Sequence, residues 1–254
     1  MQQHKKHRLS PSRIRVSVVI PVYNDQHFLD KCLQSLMRQT RLPDEVIVVD
    51  NNCTDDSAKI ASGYKFVTII DEPTQGICAA TKTGLDHAAA NSDIVLRCDA
   101  DSRPAVDWIE KVTTKFQYDN QLQAITGPGI FYDAPFYIRW LVDQVYMKAY
   151  FWSVGLALGQ KPLFGSNFAM KSELWMKISH QNHLHQQDIH DDIDISYHVA
   201  QYTEIHFDDR LAMPISARPF KSLKSFLKRY PMGLRSITIH WPDQAPWRRF
   251  TGRR

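Results

Sequence analysis

Asp93-Ile94-Val95-Leu96-Arg97-Cys98-Asp99-Ala100-Asp101 is the stretch on which the reading of this chain turns. An apolar run of buried-strand character stops at two carboxylates one residue apart. Side chains alternate along extended backbone, so Asp99 and Asp101 face the same way and can converge on one object. A hard divalent cation carrying phosphate oxygens suits them, because it takes a few carboxylates and leaves positions open for other oxygens. Asp-X-Asp triplets also arise as helix caps and turns, so the triplet needs supporting features.

Upstream, strand and helix signals alternate. Val16 to Ile20 is a β-branched run closed by Pro21, and Phe28, Leu29, Cys32, Leu33, Leu36 and Met37 recur at helical spacing. Glu45 to Val49 reads as a second strand, Phe66 to Ile70 as a third and Ile94 to Cys98 as a fourth. Helices are expected from Thr54-Asp55-Asp56-Ser57, over Ile77 to Ala90 and over Ala105 to Phe116. Continuous apolar strands separated by helices predict an α/β fold with a mostly parallel sheet covered on both faces. Ligands of such sheets bind outside the carboxyl ends of the strands. Asn24, Asp25, Asp50, Asn51, Asp71, Asp99 and Asp101 all fall there. Neither Gly-X-Gly-X-X-Gly nor Gly-Lys-Ser/Thr occurs, which disfavours a dinucleotide dehydrogenase and a P-loop ATPase.

The 254 residues are 43% hydrophobic and 23% charged, an ordinary globular composition. A net charge of +4 is too mild to argue for nucleic acid. The basic residues gather at the ends, from Lys5 to Arg15 and from Arg248 to Arg254, as solvated tails or as attraction to anionic lipid. Cys32, Cys53, Cys78 and Cys98 have no zinc or redox spacing, which fits a reducing compartment. No signal-peptide core and no run of about 18 apolar residues is present, so no transmembrane helix is expected.

The second half loses the rhythm. Aromatics crowd 135–160, Lys161 to Met170 reads as a strand with a Gly165-Ser166-Asn167 turn, and Ser172 to Ile178 and Asp192 to Val199 as helices. Residues 221–235 are basic and amphipathic, and with Trp241, Trp247 and the Arg-rich end they suit a lipid interface. His180, His183, His185 and His190 cluster without Cys or an i, i+4 pair, so a polar loop is expected there rather than zinc.

Three blocks now stand out: Val18-Val19-Ile20-Pro21-Val22-Tyr23-Asn24-Asp25, Val48-Val49-Asp50-Asn51-Asn52-Cys53-Thr54-Asp55-Asp56-Ser57 and Arg97-Cys98-Asp99-Ala100-Asp101-Ser102. Their order and spacing resemble the signature blocks of family 2 glycosyltransferases. The resemblance implies a GT-A type Rossmann-like fold, a nucleotide-sugar donor and inversion by direct displacement. By the same resemblance Pro21, Tyr23 and Asn24 line the base pocket, Asp50 holds uracil or ribose, and Gly76 lets the backbone approach the nucleotide. Asp99 faces ribose and metal, and Asp101 ligates Mg²⁺ or Mn²⁺. Where the family shows Ala-Arg-Asn-X-Gly, this chain has Ala80-Thr81-Lys82-Thr83-Gly84; Lys82 is either the replacement positive charge or a solvated helix lysine.

Phe164 to Lys171 resembles the family's acceptor-side segment, and His190-Asp191-Asp192-Ile193-Asp194 its acidic block at a helix start. That makes Asp192 the general base, with Asp191 in its stead otherwise; helix capping by acidic residues is the structural alternative. The implied layout is a basic tail over 1–15, a donor half over 16–130, an acceptor half over 131–220 and a basic amphipathic segment over 221–254. The acceptor is expected to be a glycan or lipid-linked hydroxyl, met at the cytoplasmic face of a membrane in envelope or surface-glycan synthesis. Two rival readings are a nucleotidyltransferase, which should carry a Gly-rich loop with Arg and Lys after the first strand, and a noncatalytic nucleotide- or sugar-binding module.

Overall fold

The computed structural model describes residues 13–218 and 223–251. In chain order its elements are β1 (Val16–Val22), α1 (Gln26–Met37), β2 (Glu45–Asp50), α2 (Ser57–Ser62), β3 (Val67–Asp71), α3 (Ile77–Asn91), β4 (Ile94–Arg97) and α4 (Trp108–Tyr118). There follow β5 (Ala124–Thr126), β6 (Gly129–Phe131), α5 (Phe136–Leu158), β7 (Phe168–Lys171), α6 (Ser172–Ile178) and α7 (Asp191–Val199). Then come β8 (Ile205–Phe207), a 3₁₀ turn (Asp209–Leu211), β9 (Met213–Ile215), α8 (Leu223–Thr238) and α9 (Pro246–Thr251).

Seven strands form one sheet in the order β3-β2-β1-β4-β7-β5-β8. The β3-β2-β1-β4 part is parallel throughout, as the apolar runs predict. β1 is buried along its whole length, so its alternating side chains feed two cores. Val16, Val18 and Ile20 meet Leu29, Leu33 and Leu36 of α1 and Ile109 of α4. Val19 faces the other way, with Ile47 and Val49, toward Leu85 of α3 and Trp175 of α6. Each fully buried leucine of this kind contributes roughly 2 kcal/mol of transfer free energy. Strand order reverses between β1 and β4, and that crevice is where a ligand of such a sheet sits.

The second half departs from the expectation in detail. β7 runs antiparallel between β4 and β5, pairing Leu96 with Ala169 and Ile125 with Ala169. The strand expected over Lys161 to Met170 is only Phe168–Lys171; before it, Phe164 and Asn167 close a bridge around Gly165-Ser166. The aromatic stretch forms one long helix, α5, ended by Gly159 in the left-handed region at φ 77°. Phe151 and Leu158 enter the core, while Tyr137, Trp140 and Trp152 are exposed. Among the described residues no helix is long and apolar enough to cross a membrane. All four cysteines are free thiols. Residues 1–12 of the basic tail, Lys221, Arg253 and Arg254 lie outside the described residues.

Candidate active site

A cleft of about 240 Å³ opens at the carboxyl ends of β1 and β4 and is lined by Pro21, Tyr23, Gly76, Asp99, Ala100 and Arg218, among others. A larger cleft of about 600 Å³ between α4 and the 3₁₀ turn holds none of the residues expected to act. Its Asp208 is already paired with Lys115 and Arg210, each at 2.8 Å.

The donor-side loops are built by two asparagines. Asn24 sits at φ 52°, and its side-chain oxygen accepts from the Thr54 backbone N–H at 2.8 Å, tying the β1 loop to the β2 loop. Asn51, buried, donates to the carbonyls of Glu72 and Thr74 at 2.8 and 2.7 Å and accepts from the Gly76 N–H at 2.7 Å. Gly76 has φ 140°, a conformation L side chains rarely adopt, and it delivers the backbone to the cleft wall at the start of α3. Asp50 accepts from the Cys53 N–H, three residues on, at 2.8 Å, and Asn51 rather than Asp50 lines the cleft. Tyr23 is 52% exposed at the rim.

Asp101 is buried, and its carboxylate meets Arg218 Nε at 2.7 Å. The same guanidinium is bidentate on Asp25. Burial, then the charge of Asp99, pushes the Asp101 carboxyl up to about 7. Two carboxylates thus share one guanidinium with Asp99 two residues away in the chain, and the surplus negative charge fits a divalent cation.

Asp99 has other partners. Its Oδ2 accepts from Ser166 Oγ, and its Oδ1 lies 3.0 Å from Arg97 Nη2. Arg97, at the end of β4 and 2% exposed, also reaches Asp191 Oδ2 at 3.2 Å. Asp191 further accepts from Thr81 Oγ1 at 2.7 Å. One buried cation therefore bridges the donor-side loop and the acidic start of α7. Lys82, by contrast, pairs with Asp86 one turn along α3 and does not line the cleft. Thr81 stands where the resemblance places the family's arginine.

Asp192 has no such cationic partner among its hydrogen bonds. Its Oδ2 accepts from Tyr150 OH and from the Gly165 N–H, both at 2.9 Å. Burial raises its pKa and the neighbouring Asp191 raises it further. Gly165 allows this approach: a Cβ there would stand 2.5 Å from Arg97 Nη1 and 3.2 Å from Asp192 Oδ2. Arg97, Tyr150 and Arg218 are the site residues sequence reasoning passed over. A lone arginine inside a buried apolar strand was the available signal for the first; Tyr150 and Arg218 carried none.

The family model for glycosyl transferase family 2 matches residues 17–173, ending just after β7. Glycosyltransferase GlyA of Streptococcus pneumoniae is 32% identical over 147 residues, 54% of this chain and 20% of its own. The chain spans only a fifth to a third of the length of the first such relatives. Among solved structures, the mannosyltransferase PcManGT from Pyrobaculum calidifontis, in complex with GDP-Man and Mn²⁺, superposes with a TM-score of 0.63 at 22% identity, covering 86% of this chain and 61% of that one. Glucosyl-3-phosphoglycerate synthase from Mycobacterium tuberculosis, with Mn²⁺ and UDP, gives 0.58 at 20% identity over 88% of this chain and 80% of that one. These likenesses show a shared GT-A fold. With more than half its length matched by the family model, the chain belongs to glycosyl transferase family 2.

Proposed function

We propose that the chain moves a sugar from a nucleoside-diphosphate donor, read as a UDP-sugar from the resemblance, to an acceptor hydroxyl with inversion at the anomeric carbon. The observation that carries this is Arg97, which joins Asp99 at the cleft to Asp191 at the start of α7. Asp99 and Asp101 would hold Mg²⁺ or Mn²⁺, which supplies charge stabilisation to the departing diphosphate. The neighbours that bind GDP-Man or UDP together with Mn²⁺ support that choice. Pro21, Tyr23 and Gly76 would flank the nucleoside.

On the acceptor side Asp192 takes the hydroxyl proton as the oxygen attacks the anomeric carbon. The bond from that carbon to the diphosphate breaks, and its electron pair leaves with the diphosphate. Asp191 is committed to Arg97 and Thr81, whereas Asp192 is held in place by three neutral donors, Tyr150 OH and the N–H groups of Gly165 and Ile193. A glycan or lipid-linked acceptor in surface-polysaccharide synthesis is the substrate class that the resemblance favours. The exposed Tyr137, Trp140 and Trp152 of α5 and Trp241 and Trp247 at the C-terminal end support contact with a membrane face. Flotation with anionic liposomes tests that contact, and a protein left wholly at the bottom of the gradient removes it.

The test of the donor site is thermal shift and donor hydrolysis against UDP-, GDP- and dTDP-sugars with Mn²⁺, on wild type and Asp101→Ala. A matched nucleotide at 100 times its Kd should stabilise the fold by about 2.7 kcal/mol. The gain should require metal and vanish in the variant. Equal responses of the two proteins would overturn the assignment, and a wild type unmoved by every nucleotide would favour the noncatalytic reading.

A further inference from the structure

None of the side chains considered next lines the cleft. Asp194 and His198 stand one turn apart on α7, His183 comes from the loop before it, and His240 follows α8. Asp194 Oδ1 lies 2.8 Å from His183 Nδ1, 3.2 Å from His240 Nε2 and 3.7 Å from His198 Nε2. The four donor atoms all fall within 4.8 Å of one another. Asp194 is fully buried, and His198 and His240 nearly so.

We propose that His183, Asp194, His198 and His240 form a closed four-ligand site for a divalent transition ion, with zinc as the occupant that the imidazole and carboxylate donors select. A hydrogen-bonded cluster accounts poorly for the geometry. Three ring nitrogens crowd one carboxylate oxygen, and His198 Nε2 and His240 Nε2, both buried, make no hydrogen bond. Buried ring nitrogens left so are costly unless something else meets them. Around tetrahedral zinc, with bonds of about 2.0–2.1 Å, donor atoms stand about 3.3 Å apart. The carboxylate-to-nitrogen separations bracket that value.

The surroundings resemble the outer partners of a metal site. The His183 backbone N–H donates to Asp194 Oδ2 at 2.9 Å, fixing the carboxylate with Oδ1 turned to the imidazoles. The Gln201 side-chain amide lies 3.5 Å from His198 Nδ1, and the Tyr197 ring stacks on His240 at 4.2 Å with a 4° interplanar angle. Four protein ligands leave no open position, so the ion would be structural rather than catalytic. It would join the loop before α7, α7 itself and the segment after α8. Of the histidines clustered in the sequence only His183 belongs; the i, i+4 pair is completed by an aspartate, and His240 is 42 residues further along the chain than His198.

The test is metal analysis of the full chain, prepared without an affinity tag, offered zinc and dialysed, alongside a Co²⁺-loaded sample read by visible absorption. We expect about one zinc per chain and the d–d bands of tetrahedral cobalt. Asp101→Asn should retain both, which separates this site from the cleft. His183→Gln, at the half-exposed rim and so least disruptive to folding, should weaken zinc binding by more than about 100-fold, beyond the 10–100-fold typical of outer partners. A wild type that keeps no zinc and gives no cobalt bands overturns the proposal, as does zinc that survives in a His183→Gln/His198→Gln variant.

Discussion

Replacing Arg97 by methionine removes the one cation that the Asp99 loop shares with α7. The variant keeps the apolar stem of the side chain and deletes both ion pairs, at 3.0 and 3.2 Å. Breaking a buried pair costs about 3–5 kcal/mol, because a charge is left uncompensated. Here the lower end applies. The Asp99 side chain is 30% exposed and can take up water, and Asp191 keeps the Thr81 hydroxyl. For a domain of this size about 3 kcal/mol lowers Tm by about 6–12 °C. The fold survives, since native domains hold about 5–15 kcal/mol. Melting curves read the loss, and a Tm within about 2 °C of wild type refutes the bridging role.

Asp101→Asn should raise the Tm of metal-free protein above about pH 7 and leave it unchanged near pH 4, because a carboxyl raised from 3.8 to about 7 loses stability across that window as it ionises; scanning calorimetry reads both ends, and destabilisation at high pH contradicts the shift. In Gly165→Ala the added carbon must displace Arg97 or Asp192, and a displacement approaching 1 Å lowers transfer by about 100-fold; donor affinity by calorimetry should change less than about twofold. Asp192→Asn should lower turnover by about 10²–10⁴-fold with nucleotide binding intact, whereas equal losses in binding and turnover would assign Asp192 to the donor side.

The donor half was legible because each strand from β1 to β4 is an apolar run of four or more residues followed by a helix-period pattern. The second half was less so. β5, β6 and β9 are three residues each, too short to display a period, and α5 is apolar nearly all round, which blurs the helical stripe. Asp192 could be named from its block as the base, with Asp191 as the fallback. What the block could not show is that Asp191 pairs with Arg97, which arrives from 94 positions earlier in the chain. Of the two readings left open for Lys82, cleft charge or solvated helix lysine, the sequence could not choose; Asp86 one turn away pairs with it.

The position of β7 has a consequence for how this chain is made. β4 borders β1 on one side and β7 on the other, and β5 reaches the sheet only through β7. A chain emerging from the ribosome therefore holds β1 to β4 complete but with an open edge, while Ala124–Thr126 waits without a partner. Not until Phe168–Lys171 is synthesised can the sheet cross from one half to the other. During that interval an exposed apolar edge invites pairing with another nascent copy, and truncation after about residue 130 would make the hazard permanent. The first half is thus not a cassette that can be cut out and grafted elsewhere; its last seam is sewn by residues from the other side.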